Sequence, residues 1–481
     1  MAPTVAIIGA GMSGLCMAIK LQAAGIESYT LFEQAADVGG TWRDNTYPGL
    51  HCDVPSRYYS YSFRPNSEWS KFQSPGPEIQ QYFRMCADEH SIGTHINFDT
   101  TVTDAQYRDG KWWLSTTGGE ESFDVLITAT GVLRVPRLPS IPGRDSFMGK
   151  AFHSSQWDHS TSLRGKRIGL IGTGSTGVQI ISELGGKVGA LTVFQRSAQW
   201  VFPWPNFRYS PVSKALMRRS SAFNRVGHTF WGWCFRTVLG RATVQPGWQR
   251  RLVDTVCRLN LSLSVRDRDL REKLTPADKP MCKRQIFAGR YYRSVQRPGV
   301  EIITDDIVGI EPHGVATADG RLHEVDVLVF ATGFDARAYV NPLRIVGENG
   351  VSIEQVWADG PHAYRSVGVP GFPNFFMLMG PHSPIGSDSL VPIAEHQADY
   401  IMWWIKQIRD GHVISVAPTD VATKEHNEQM KAAMPNTTWV TGCRSWYLGK
   451  DGLPELFPWR PERYTELLAE PDMTAFEIRT R

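Results

Sequence analysis

Two stretches of this chain repeat one grammar. TVAIIGAGMSGLCMAIKLQAAG near the N-terminus and KRIGLIGTGSTGVQIISELGG far downstream each read as a short apolar strand, a GxGxxG turn and an apolar-periodic helix. Each is followed by a further strand, SYTLFEQ in the first case and ALTVFQRS in the second. The glycines are Gly9, Gly11 and Gly14 in one turn and Gly172, Gly174 and Gly177 in the other. The first glycine of such a turn lets the chain reverse, the second lets backbone N–H groups approach a pyrophosphate, and the third lets helix pack on strand. Two units of this kind, which are not tandem copies of a solenoid repeat, predict two bound nucleotides. The expected fold class is therefore α/β, with two Rossmann-like dinucleotide-binding domains.

The units differ where their second strands end. Glu33 closes the first, where a carboxylate accepts hydrogen bonds from ribose hydroxyls. Gln195 and Arg196 stand at the equivalent place in the second, so the carboxylate is missing and a cation is next door. That pattern points to a ribose 2′-phosphate, with Arg196 as a planar fork and Lys283 as a second positive charge if the fold brings it near.

Two more strands, DVLITATG and DVLVFATG, end alike at Gly131 and Gly333 and mark the exits of the units. A prolyl stretch, VPRLPSIPG, follows the first and reads as a crossing between domains. The expected division is 1–140 for the first unit, 141–158 for a linker, 159–209 for the second unit, 210–276 for a helical and basic insertion, 277–338 for the rest of the second unit and 339–481 for a return to the first.

A net charge of +3 over 481 residues, spread along the sequence, makes no case for nucleic acid or an anionic membrane as main partner. The seven cysteines are scattered, odd in number and without a CxxC pair, which argues against a disulfide framework, a zinc site or a dithiol centre. No metal site is expected, and a reducing cytoplasm fits best. The segment HTFWGWCFRTVLG at 228–240 is too short to span a bilayer and contains Arg236, so it reads as a packed helix; no integral membrane association is expected.

Two motifs lie between and beside the units. GGTWRDNTYPGLHCD at 39–53 fits the pattern GGxWxxxxYPGxxxD, and FMGKAFHSSQWD fits FxGxxxHxxxW followed by Asp through Phe147, Gly149, His153, Trp157 and Asp158. Taken alone, Asp53 reads as a turn or capping residue, His153 as a satisfied structural histidine and Trp157 as a core aromatic. Together with the ordered glycine turns, these motifs resemble the type I Baeyer-Villiger monooxygenases, over the chain from Val5 to about Pro381.

The resemblance implies FAD in the first unit, with Gly9, Gly11, Ser13, Gly14, Glu33, Gly40, Thr41, Trp42, Asp53, Tyr59 and Val102 around it. It implies NADPH on the second turn, through Gly172, Thr173, Gly174, Ser175, Thr176 and Gly177, with Arg196, Ser197 and Lys283 at the 2′-phosphate. MCKRQIFAGRYY resembles the family's Lys-Arg pair followed by paired tyrosines, which puts Arg284 at the family's catalytic arginine, with Asp53 orienting it. Trp446, in TGCRSWYLGKDG, is the nearest candidate for a tryptophan over the nicotinamide. His153 and Trp157 are implied as docking residues of a linker that lets the nicotinamide move.

The implied reaction takes a ketone and O2 to an ester or lactone through a flavin peroxide anion, which a permanent guanidinium stabilises. A flavin-containing monooxygenase acting on thioethers or amines is the near alternative, and a non-catalytic nucleotide-binding flavoprotein a further one. A disulfide reductase is disfavoured, because no CxxC or CxxxxC pair supplies its dithiol. The sequence names no protein partner.

Overall fold

In the computed structural model, which describes residues 2–384, 388–443, 448–449 and 452–480, two five-stranded parallel sheets form the frame. The first runs Phe375–Met377, Val125–Thr128, Val5–Ile8, Tyr29–Phe32, Ile96–Asn97. The second runs Val300–Ile303, Ala190–Phe194, Arg167–Ile171, Val327–Phe330, Lys150–His153. Val5 sits opposite Tyr29 on one side and Val125 on the other, and Ile168 lies between Leu191 and Val327. Val5–Ile8, Val125–Thr128 and Val327–Phe330 are buried at every position, which explains why they read as unbroken apolar runs and not as alternating ones.

Each glycine turn leads into a helix, Met12–Ala23 in the first unit and Ser175–Leu184 in the second. Each parallel sheet is accompanied by an antiparallel meander: Lys111–Thr116 pairs with Val102–Arg108 and Gly119–Phe123 in one, and Gly314–Thr317 with Ile307–Glu311 and Leu322–Glu324 in the other. The chain re-enters the first sheet at Phe375–Met377, beside Val125–Thr128, and the long helix Leu390–Arg409 then packs on Met12–Ala23.

Between Ala190–Phe194 and Val300–Ile303 of the second sheet the chain is largely helical: Pro211–Arg219, Ser221–Cys234, a π-helical turn at Phe235–Gly240, Arg241–Val244, Trp248–Ser264 and Arg268–Lys273. The reading of 228–240 as a packed helix holds for one face only. Gly232 and Phe235 are buried, whereas Phe230 and Trp233 are 51 % and 57 % exposed.

The stretch expected as a linker is partly an element of the second sheet. Lys150–His153 is its edge strand, in parallel register with Val327–Phe330, so His153 faces Phe330 across the ladder. Gly149 admits no side chain there, because a Cβ would stand 2.5 Å from the Asp326 carbonyl oxygen. The pairing joins residues far apart in the chain, and nothing local in KAFH announces it.

Candidate active site

Both glycine turns open into one cavity of about 1250 Å³, more than the roughly 300–1000 Å³ usual for one small ligand. Of the residues singled out in the sequence, Gly9, Gly11, Ser13, Glu33, Gly40, Thr41, Trp42, Asp53, Tyr59 and Val102 line it from the first unit. Gly172, Thr173, Gly174, Ser175, Thr176, Arg196, Ser197, Lys283 and Arg284 line it from the second.

Gly14 and Gly177 are not in the wall. A Cβ on them would lie 1.9 Å from the Gly9 carbonyl oxygen and 2.3 Å from that of Gly172, so they seat each helix against its turn instead of facing a ligand. Gly9 and Gly172 take φ of +107° and +109°, and the carbonyls of Ala129 and Ala331, at the ends of the two ATG strands, close on them. A Cβ on Gly174, by contrast, would stand in open space. The space and the converging N–H groups fit a phosphate-bearing group.

Glu33 is buried. Its carboxylate accepts from the backbone N–H of Ala10 (2.9 Å) and of Ala35 (3.1 Å) and pairs with the Arg43 guanidinium at 3.0 Å. The acid is thereby fixed in the cavity wall. Trp42 donates its indole N–H to the Tyr59 hydroxyl at 2.9 Å, and the two rings meet edge-on. Burial pushes the Tyr59 phenol well above its ordinary value, so it stays protonated.

At the matching place in the second unit Gln195 is buried and donates to the Lys273 carbonyl, while Arg196 is exposed at the cavity edge. Lys283 reaches Ser197 Oγ at 3.1 Å and pairs with Asp278 at 2.7 Å. Two cations and a hydroxyl thus converge on one part of the wall.

The cavity wall also holds an ion pair between the two units. Arg284 donates Nη2–H to Asp53 Oδ1 at 3.0 Å and Nε–H to Asp53 Oδ2 at 3.3 Å, a two-pronged contact between residues 231 positions apart. Both are partly buried, with side chains 29 % and 17 % exposed. Asp53 comes from the loop of the first unit and Arg284 from the second, so the pair ties the units where the turns meet. A second tie lies beside it: Tyr47 donates to Gln179 Oε1 at 2.9 Å, and Gln179 donates to the His51 carbonyl at 2.8 Å.

Several wall residues carried no signal in the sequence. Asp388 is 3 % exposed, accepts from the Tyr58 hydroxyl at 2.7 Å and the Ser389 N–H at 2.8 Å, and lines the cavity. Burial pushes its carboxyl up to about 6, against the opposing hydrogen bonds and the charges of Arg236 and Arg284. Arg43 and His51 occupy unspecified positions of the 39–53 motif, so spacing did not separate them from turn residues, whereas Tyr47 is the motif's own tyrosine. Trp446 lies outside the described residues.

Phe147, Gly149, His153, Trp157 and Asp158, expected as linker residues, lie outside the cavity wall. His153 is buried, with Nδ1 bonded to the Ser155 hydroxyl at 2.8 Å and its ring edge-on to Phe334, a wall residue; Trp157 packs edge-on to Phe152. Asp158 closes a turn by accepting from Ser160 and Thr161. The run braces the wall from behind.

The cysteines are not all free. Cys282, next to Lys283 and Arg284, is disulfide-bonded to Cys443, whereas Cys16, Cys52, Cys86, Cys234 and Cys257 are unpaired. Partners 161 residues apart leave no spacing signature in a sequence.

The flavin-binding monooxygenase-like family model matches residues 2–343. The chain belongs to this family. Within it, a Baeyer-Villiger monooxygenase of Streptomyces coelicolor is 35 % identical, over 93 % of this chain and 87 % of that protein. An uncharacterized monooxygenase of Mycobacterium tuberculosis is 50 % identical, over 99 % of this chain and 96 % of its own length. The crystal structure of cyclohexanone monooxygenase from Rhodococcus sp. Phi1 bound to NADP+ superposes with a TM-score of 0.87 at 29 % identity, covering all of both chains. The two-domain frame of this flavin-binding monooxygenase-like chain is thus that of the Baeyer-Villiger enzymes. No helix among its described residues is long and apolar enough to cross a membrane, and none of their acidic, cysteine or histidine side chains cluster as a metal site.

Proposed function

We propose that the protein is an FAD-containing, NADPH-dependent Baeyer-Villiger monooxygenase. Ketone, O2, NADPH and a proton give ester or lactone, NADP+ and water. The observation that carries this reading is the Asp53–Arg284 pair, held across one cavity with a glycine turn from each unit.

The residues fit both nucleotides. Gly9, Gly11 and Glu33 suit the pyrophosphate and ribose of FAD, with Ser13, Gly40, Thr41, Trp42, Tyr59 and Val102 along the rest of the molecule. Gly172, Gly174 and their helix N-terminus suit NADPH, and Arg196, Ser197 and Lys283 suit its 2′-phosphate. FAD supplies the electron transfer and oxygen activation when bound.

What the chain supplies is position and charge. The Arg284 guanidinium stays cationic at any working pH, so it stabilises negative charge that grows on the substrate carbonyl oxygen as the carbon is attacked. Asp53 takes two of its N–H groups and thereby fixes the plane of the fork. The same cavity is lined in part by apolar groups, among them Pro384, Leu390 and Leu456, and such lining excludes water and strengthens a charge effect.

Product analysis with purified FAD-loaded protein, NADPH and air, over matched ketones and thioethers, tests the reading. Ester is expected from the ketones. Arg284→Ala is expected to accept hydride from NADPH yet lose about 100- to 1000-fold in ester formation, the usual cost of removing one charge-stabilising donor. Sulfoxide without ester would transfer the assignment to heteroatom oxygenation. Reduction by NADPH that stays slow with every substrate would mark a non-catalytic flavoprotein.

A further inference from the structure

The helical insertion leaves an apolar face uncovered. Asn224, Gly227 and Gly232 form the inner face of helix Ser221–Cys234, so tightly docked that a Cβ on Gly232 would lie 2.7 Å from the Tyr58 ring. The outer face carries Phe223, Val226, Phe230 and Trp233, spaced three, four and three apart, which is one stripe on a helix. Helix Trp248–Ser264 repeats the arrangement: Gln249, Val253, Cys257 and Leu261 point inward, and Trp248, Leu252, Leu259 and Leu263 are exposed along the other side. Among the described residues, ten of the twenty-one large hydrophobic side chains that are exposed fall within 211–264. So uneven a distribution marks a surface built to be covered.

The same segment concentrates the positive charge. Residues 210–276 hold thirteen Lys and Arg against four Asp and Glu, a net +9, whereas the whole chain is +3, so the remainder is −6. The sequence-wide total therefore conceals a division between a basic insertion and an acidic body, and the expectation of evenly spread charge is corrected. Arg219, Arg225, Arg251 and Arg258 are exposed on the helices that bear the apolar residues.

We propose that this face is a peripheral docking surface for an anionic lipid bilayer. Pairing the face with a second copy of itself would oppose two basic surfaces, and a nucleic acid makes no use of helical stripes of Trp, Phe, Leu and Val. A bilayer interface satisfies both features: the apolar stripes enter the acyl boundary, the two tryptophans sit at headgroup level, and the arginines meet lipid phosphates. Tyr58, against the inner face of the first helix, donates to Asp388 in the cavity wall. On the oxygenase reading above, the docked face is thus two side-chain contacts from the reaction cavity, a position suited to ketones that partition into lipid.

Vesicle co-sedimentation of the FAD-loaded full chain tests this without any turnover, so its outcome is separate from that of the activity assay. The parent is expected to sediment with vesicles of equal parts phosphatidylglycerol and phosphatidylcholine, to stay in solution with phosphatidylcholine alone, and to be released by salt. Combined Phe230→Ser, Trp233→Ser, Trp248→Ser and Leu252→Ser should weaken binding by about 100-fold or more. Arg225→Gln with Arg251→Gln and Arg258→Gln should weaken it by about tenfold or more. Both variants should keep FAD and the parent's NADPH oxidation with a water-soluble ketone; if the serine variant loses FAD, the glutamine variant decides. The proposal is overturned if the parent ignores anionic vesicles, or if the variant that keeps FAD binds them as tightly as the parent does. A parent dimer that the serine substitutions make monomeric, without vesicle binding, would give the face to a second copy and overturn it too.

Discussion

The two nucleotide units share four of their five sheet strands in the same order and the same three-glycine turn, and within that shared frame the cavity walls part company at one side chain. Glu33 is buried, bound by two backbone N–H groups and by Arg43, and its carboxylate is part of the first turn's wall. Gln195 is buried as well and also lines the cavity, but its amide N–H is donated to the Lys273 carbonyl, and Arg196, Ser197 and Lys283 stand in the wall beside it. One frame thus carries a carboxylate in the first unit's wall and positive charge with a hydroxyl in the second's. On the proposed reading, the shared topology fixes where a nucleotide lies and the sign of charge at the strand end selects which one.

The shared part of the comparison breaks most severely at the third glycines. Gly14→Ala and Gly177→Ala put a Cβ 1.9 Å and 2.3 Å from backbone oxygen, which no rotamer change relieves. Each is expected to cost about 3 kcal/mol or more in stability, from overpacking at an immovable backbone. Gly14→Ala should also release FAD first, and Gly177→Ala should impair NADPH use first. Thermal unfolding with flavin release, followed by NADPH titration, reads both. Equal loss of FAD from the two variants would mean that the units do not hold their nucleotides separately.

A middle-sized effect belongs to the strand end. Arg196→Gln and Lys283→Gln should each raise KM for NADPH by about tenfold, the contribution of one exposed or half-exposed charge-assisted contact to phosphate. KM for NADH should be unchanged, so the preference for NADPH collapses by the same factor. Asp278 competes with the phosphate for Lys283, which predicts the smaller loss there. A parallel rise for NADH would place both residues at a site common to the two coenzymes and would remove the 2′-phosphate reading.

Much of this was legible because it is local. Strand, turn and helix in each unit follow from apolar runs and glycine spacing, and the motifs at 39–53 and 283–284 give the residues that meet as Asp53 and Arg284. Their meeting is not local, and only the resemblance predicted it. The same limit explains the misses. Lys150–His153 becomes a strand through a partner at 327–330, Cys282 bonds Cys443 across 161 residues, and Asp388 enters the wall from a position that no spacing singled out. Charge was legible in part: 210–276 reads as basic from its own residues, but the sum of +3 hides that its +9 stands against −6 elsewhere.

The smallest effect separates what the fold needs from what the ligand needs. Gly174 has an ordinary extended backbone at the start of its helix, and a Cβ there meets nothing within 4 Å. Gly174→Ala should therefore shift stability by no more than about 0.5 kcal/mol, since only a modest end-of-helix preference changes. The added methyl nonetheless occupies the space through which backbone N–H groups approach a phosphate, so KM for NADPH should rise about tenfold. Thermal unfolding without NADPH, compared with kinetics at varied NADPH, measures the two halves independently. If the melting temperature drops as far as it does for Gly177→Ala while KM holds, the open space at Gly174 belongs to folding, and the second unit's turn loses its assignment to a coenzyme. If stability holds and KM rises, the middle glycine is retained for the ligand alone, which the third glycine, closed against its own backbone, is not.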